Sequence, residues 1–243
     1  MKSEADRGFL ILARVSEWIG IILTFTVPVL VLGLVQADVS TPFAWLTIAV
    51  AMVFGYVASD LLSGMVHWAG DRWGSEKTFM LGPTIVKPFR DHHRDQLEIT
   101  RHNFVETNGN NCMGTTVILV FSLLLPEEDT LGLFSRVAAV ALSFGLFATN
   151  QFHKWSHLAA PSWPIRTLQR LHLILPIDHH AIHHKAPYDR YYCITTGWLN
   201  PLLLKIGYFE FLERAIERVT GAAPFRDTAV YPDSSSIDGA TTA

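Results

Sequence analysis

The chain has 243 residues, of which 49% are hydrophobic and only 17% charged, with a mean hydropathy of +0.25. Soluble domains carry about 25% charged residues, so the shortfall points to lipid as part of the solvent and excludes disorder for most of the chain. A net charge of -3 and a pI near 6.4 supply no basic field, which excludes a nucleic-acid partner. Cys112 and Cys193 stand outside any Cys-x-x-Cys pair, which excludes a disulfide framework, a zinc knuckle and dithiol redox chemistry.

The predicted fold is all-α: an integral membrane protein of about four transmembrane helices with a cytoplasmic histidine-rich cap. Residues 1–17 mix both signs of charge and form a cytoplasmic N-terminal segment. The first apolar run, 18–35, is about 18 residues long, near the minimum for a crossing, and Pro28 predicts a kink in it. No small-residue cleavage site follows, so it reads as a retained span and not a signal peptide. The run at 43–68 is the longest, with Asp60 and His67 as its ionisable groups, both toward its C-terminal end. The run at 113–125 covers only about 13 residues, which fits a re-entrant or interfacial segment as well as a crossing. The last run, 131–152, is long enough to span, and Arg136 near its start has a stem that can snorkel to the interface.

Lys and Arg accumulate in cytoplasmic loops. The connections at 36–42 and 126–130 contain neither, and the second carries Glu127, Glu128 and Asp129, so both are expected to face outward. The N-terminus, the 69–112 connection and everything after 153 are expected inside, whether the third and fourth runs cross or form a hairpin. Leu168, Leu171, His172 and Leu175, then Phe209, Leu212, Ala215 and Ile216, recur at helical spacing and fit either interfacial helices or packing helices of the cap. Residues 18–220 read as one membrane domain, and 221–243, rich in Ala, Pro, Ser, Thr and Asp, as a disordered tail.

All 11 histidines fall between positions 67 and 184, at or beyond the cytoplasmic ends of the predicted spans. His153 and His157 are four apart, as are His67 and Asp71, so each pair shares one helix face and can reach one metal. The adjacent pairs His92–His93 and His183–His184 differ by about 100° on a helix, which suits two metals, or one metal and a group orienting its ligands. This many imidazoles exceeds the three or four protein ligands of one zinc centre, so the pattern suggests a dinuclear site. Ligand type alone leaves zinc, copper, iron and nickel open. The zincin motif, the Gly-x-Ser-x-Gly elbow and the P-loop are absent, and no side-chain nucleophile is expected. A divalent-metal transporter or sensor is the rival from another class, although the span interiors are almost bare of ligands.

Ser63-Gly64-Met65-Val66-His67-Trp68 with Asp71 and Trp73-Gly74-Ser75, then Pro88-Phe89-Arg90 before His92-His93, then Ile99-Thr100-Arg101-His102 with Phe104 and Glu106-Thr107-Asn108-Gly109, resemble the plasmanylethanolamine desaturase family. Thr149-Asn150-Gln151, His153-Lys154-Trp155-Ser156-His157, the His179–His184 block and Cys193-Ile194-Thr195-Thr196-Gly197-Trp198-Leu199-Asn200 continue the resemblance, in order, from about 60 to 205. It implies a membrane enzyme with two non-haem irons (Fe2+/Fe3+) that converts an alkyl ether phospholipid into a vinyl-ether plasmalogen. It also implies O2 as co-substrate and a small electron donor such as cytochrome b5 or ferredoxin with its reductase. The enclosing membrane would be a bacterial inner membrane or the endoplasmic reticulum, and an acyl-lipid desaturase or hydroxylase would need no different ligand set. The ligands carried over are His67, His92, His93, His153, His157, His183, His184 and one of His179 or His180. Of these two, His180 matches the His-x-x-His-His box and His179 lies four before His183. Asp71, His102 and Asn150 are candidates for the metal or for positioning its ligands. His172 reads as structural. Asp60 is a functional candidate as an intramembrane carboxylate, and Lys87, Arg90, Arg94 and Arg101 are candidates for binding lipid phosphate.

Overall fold

A computed structural model describes residues 4–79, 82–125 and 128–226, and among them every regular element is helical. The long helices are α1 (Glu4–Gly33), α2 (Pro42–Arg72), α5 (Phe104–Ser122) and α6 (Thr130–Ser156). The short ones are α3 (Lys87–Arg94), entered through a π-helical turn at Gly82–Val86, α4 (Glu98–Arg101), α7 (Trp163–Arg170), α8 (Ile177–His183), α9 (Asn200–Lys205) and α10 (Tyr208–Thr220).

Among the described residues, three helices are long and apolar enough to cross a membrane, at Arg14–Gly33, Pro42–Arg72 and Thr130–Ser156. Their ends follow from local chemistry. Thr41 caps α2 by accepting the Ala44 N–H, with Pro42 filling the first turn, and Asp129 caps α6 by accepting the Gly132 N–H at 2.7 Å. Helix α1 runs unbroken through Pro28. Along α1 and α2, Ile22, Phe25, Val29, Leu46, Val50 and Phe54 stay exposed, an apolar belt suited to lipid. The inner faces are small instead. A Cβ at Gly55 would strike the Ala138 carbonyl and meet the Ala141 methyl at 2.8 Å, so a side chain there would force α2 and α6 apart.

The third apolar run is the second half of a longer helix. Helix α5 starts at Phe104 behind a capping box, in which Asn103 accepts the Glu106 N–H and Glu106 accepts the Asn103 N–H, each at 3.1 Å. Its polar first half is hidden by packing: Asn108 bonds Gln151 on α6, and Asn111 donates to the Leu146 carbonyl. Arg136 does not snorkel. It is 0% exposed and donates to the carbonyls of Val31, Leu123 and Leu125, at the ends of α1 and α5 where helical carbonyls lack partners and favour a cation.

The cap lies across the C-terminal ends of α2 and α6. Of the two helices expected after the fourth run, the first ends at Arg170, so Leu171, His172 and Leu175 stand in a loop with His172 at φ +54°. The second, α10, packs inward: Phe209 is buried with Trp68, Tyr192, Cys193 and Leu203. Both cysteines are free and buried. Residues 221–226 are tied back to the cap, since Phe225 donates its N–H to the Arg72 carbonyl at 2.7 Å and its ring lies under the Arg90 guanidinium. The rest of the expected tail, 227–243, lies outside the described residues, as do 1–3, 80–81 within the long connection and 126–127 in the acidic turn.

Candidate metal centre

Four helices bring their histidines to one place. Helix α2 contributes His67 and Asp71 from its last turns, α3 His92 and His93, α6 His153 with His157 at its end, and α8 His180 and His183 with His184 at its end. Close approach is what admits the partners. A Cβ at Gly64 would come within 2.6 Å of the Cys193 sulfur, so glycine lets the segment around Cys193 lie against α2.

The side chains separate into two groups: His92, His153, His157, His180 and His184, and His67, Asp71, His93 and His183. Within each group one ligand atom per residue lies within 4.8 Å of every other. In the first, His157 Nε2 lies 3.0 Å from His92 Nε2, 3.2 Å from His153 Nε2 and 3.0 Å from His180 Nε2, and His180 Nε2 lies 2.9 Å from His184 Nε2. One imidazole nitrogen carries a single proton or a single lone pair, so hydrogen bonds cannot satisfy His157 toward three neighbours. A shared cation can. Donors about 2.0–2.1 Å from a metal lie about 2.9 Å apart at right angles and about 3.4 Å apart in a tetrahedron, and the observed spacings fall in that interval.

The second group makes the same point with a carboxylate. His67, His93 and His183 hold Nε2 at 3.4, 3.6 and 3.5 Å from Asp71 Oδ2, while His93 and His183 are 2.9 Å apart. Both Asp71 oxygens and His67 Nε2 are buried without a hydrogen-bond partner. A buried, unpaired carboxylate is strongly unfavourable, and a cation in the group would satisfy it. The donor set therefore fits two metal ions. Each adjacent pair divides between the groups, with His92 and His184 in the first and His93 and His183 in the second.

The far side of the rings sets their tautomer. His67 Nδ1 is 3.1 Å from the Tyr192 carbonyl and His183 Nδ1 is 2.8 Å from the Arg190 carbonyl. A carbonyl only accepts, so the proton sits on Nδ1 and Nε2 keeps its lone pair for a metal. Burial, with neighbouring imidazoles adding to it, pushes His92, His93 and His184 down to about 2 and His157 to about 4; burial pushes His183 to about 4 as well. These imidazoles stay neutral, the form that ligates.

The remaining candidates lie elsewhere. His179 is outside both groups, 3.2 Å from Asn200 Nδ2, because one position on α8 turns it about 100° from His180. His102 is half-buried, with its Nε2 3.9 Å from Glu98 Oε1 and away from both groups. Asn150 donates to the Thr107 carbonyl at 3.0 Å, a contact between α6 and α5. Asp60 is fully buried, and its carboxylate accepts the N–H groups of Thr196, Gly197 and Leu199 at 2.8, 2.9 and 3.1 Å. Lys87 and Arg94 pair with Asp91, Arg101 with Asp95, and Arg90 is buried against the Gly74 carbonyl and Phe225.

Sequence reasoning missed the support of this loop. Asn200 closes it by accepting the Cys193 N–H and donating to the Cys193 carbonyl, at 2.8 and 2.9 Å. Together Asp60 and Asn200 fix the segment whose carbonyls hold His67 and His183. Tyr188 stacks on His93 with ring centroids 4.5 Å apart. Backbone carbonyls leave no mark in a sequence; the position of Asn200 in the matched motif was the one available signal.

The lipid desaturase domain family matches residues 56–227. The chain is 48% identical over 189 residues to a plasmanylethanolamine desaturase of Myxococcus xanthus, covering 77% of this chain and 67% of that one. It is 41% identical over 225 residues to plasmanylethanolamine desaturase 1 of Mus musculus, covering 88% and 81%. Fatty acid desaturase 4-like 2, chloroplastic, of Arabidopsis thaliana is 32% identical over 183 residues, covering 74% and 63%. No solved structure matches.

Proposed function

The chain belongs to the lipid desaturase family, and from that premise we propose that it converts plasmanylethanolamine, an alkyl ether phospholipid, into the vinyl-ether plasmalogen. The observation that carries the mechanism is the pair of convergent ligand groups at the ends of apolar helices. Two non-haem irons bound there would supply O2 activation and removal of hydrogen from two neighbouring carbons, with electrons from a small donor such as cytochrome b5 or a ferredoxin.

The protein's own part is positional. Asp71 and eight histidines would hold the metals, with His180 in the eighth place; Tyr192 and Arg190 carbonyls orient two of the rings; and Asp60 and Asn200 fix that loop. The ligands gather at helix ends and not along a path through the spans, which favours an enzyme over a transporter. Helix α5 is proposed as the fourth crossing and the histidine face as cytoplasmic, in line with the Lys and Arg distribution. Residues 18–220 form the working domain. Metals held by these residues at that interface would act on the ether-linked end of a lipid chain, next to its headgroup.

The test is lipid analysis in a host that contains ether lipids and lacks plasmalogens. Acid hydrolysis releases fatty aldehyde from a vinyl ether, so expression of the chain is expected to yield aldehyde and His157→Ala to abolish it. Iron without aldehyde would move the reading to an acyl-chain desaturase, the activity named for the plant relatives.

A further inference from the structure

The loop between α7 and α8 combines two features that a water-facing loop does not. Its apolar side chains point outward: Leu171 is 62% exposed and Leu173 42%, beside Trp198 at 42%. Its backbone, in contrast, is largely satisfied by protein. The N–H groups of Leu171, His172 and Leu173 bond the carbonyls of Thr167, Gln169 and Leu168, all at 3.0 Å, and Leu175 N–H bonds the Thr195 carbonyl. Two carbonyls of the exposed tip have side-chain donors, Trp198 Nε1 to His172 O and Tyr56 hydroxyl to Leu173 O, each at 2.6 Å, and the buried Leu175 carbonyl accepts from Gln169 at 3.2 Å. Non-helical backbone persists at membrane depth only where protein satisfies it in this way.

The bond to Tyr56 sets the depth. A hydrocarbon core of about 30 Å takes about 20 helical residues, so a core starting at the exposed Phe43 ends near Leu62. Tyr56 lies six residues inside that end, about 9 Å at the helical rise. The Tyr56 and Trp198 rings meet edge to face at 5.9 Å, which joins the loop to the apolar surface of α2. His172 is the polar residue of the tip, and imidazole is among the side chains that present an apolar body and a polar end at such a boundary.

We infer that Leu171–Leu173, with Trp198, dips into the hydrocarbon of the leaflet on the histidine side and is covered by lipid acyl chains. The inference rests on the fold alone and stands whatever the substrate is. It makes the loop leading into the ligand helix α8 a membrane-seated element of the cap.

The test uses the full chain in phosphatidylcholine–phosphatidylethanolamine vesicles with spin labels on Leu171→Cys and, separately, Leu173→Cys. Val50→Cys on the lipid face of α2 and Val219→Cys, 86% exposed at the end of α10, serve as references. Cys112 and Cys193 are buried, and the unsubstituted chain controls for their labelling. The ratio of collisions with O2 to collisions with a water-soluble nickel complex is expected within about twofold of the Val50 value, as for side chains seated about 5–10 Å into the boundary. Ratios matching Val219 at both positions would overturn the inference. Elution and helix content equal to the unsubstituted chain establish that each variant is folded, and agreement between the two positions guards against a local effect of either substitution.

Discussion

Asp60→Asn separates holding a loop from taking part in chemistry. The aspartate carboxylate accepts three backbone N–H groups at 2.8, 2.9 and 3.1 Å from a fully buried position. Hydrogen bonds to a charged group contribute about 1.5–3 kcal/mol each and neutral ones about 0.5–1.5 kcal/mol. Asparagine keeps the shape, so its one oxygen can still accept from Thr196 and Gly197, each bond weaker by about 1 kcal/mol. Its amide then faces the Leu199 N–H donor to donor, a loss of about 2 kcal/mol. Removing a buried charge returns part of this, and with about half offset the net is about 2 kcal/mol. At about 1.4 kcal/mol per tenfold, amide exchange across 192–199 is expected to quicken about 30-fold. The assay is hydrogen–deuterium exchange by mass spectrometry in detergent, with peptides of α5 as the internal reference. Activity should fall along with it, because the loop's carbonyls hold His67 and His183. Activity lost with exchange unchanged would refute this account and return Asp60 to the reacting centre.

Asp71→Ala should lower bound metal from about two ions per chain to about one by elemental analysis, because it empties the only carboxylate from the second group and leaves five imidazoles in the first; an unchanged count would remove Asp71 from the ligands. The metal-free protein should lose stability in acid. His157 and His183 protonate natively only near 4, and His92, His93 and His184 only near 2, whereas the unfolded chain takes up those protons near 6.5. The native values are the lower ones, so the contribution is full above about pH 6.5 and is lost as pH falls through that window toward 4 and 2. The thermal midpoint should therefore drop between pH 7 and pH 5, and a flat profile would contradict the burial of these rings. Arg136→Met removes the donor from one buried and two partly buried carbonyls, at about 1–3 kcal/mol each, while relieving a buried charge, for a net loss of about 2–4 kcal/mol; an unchanged thermal aggregation temperature in detergent would refute it.

The apolar runs located α1, α2 and α6 because lipid contact requires continuous apolar composition. The same criterion shortened α5, whose Glu106, Asn108 and Asn111 are polar yet paired within the cap and bundle, so composition ended where the helix did not. Spacing alone put His153 with His157 and His67 with Asp71 on shared faces. It left His179 and His180 open because their choice depends on the phase of α8, set where Pro176 ends the preceding loop and the helix begins at Ile177. Asp60 was visible as an intramembrane carboxylate, but its partners are backbone amides about 136 positions away, and no side-chain pattern records them.

Helices α3 and α8 each supply both ligand groups, α3 with His92 and His93 and α8 with His180 and His184 on one side and His183 on the other, whereas α2 and α6 serve one group apiece. The centre is therefore cross-braced: α3 and α8 act as tie bars between two separately anchored posts. Inserting one residue ahead of His92 or His180 would turn that bar by about 100° and remove ligands from both groups at once. Point substitutions sample the ligands one by one, but the evolutionary unit is the helix phase, and length changes in 82–91 or 171–179 should be far rarer than substitutions there.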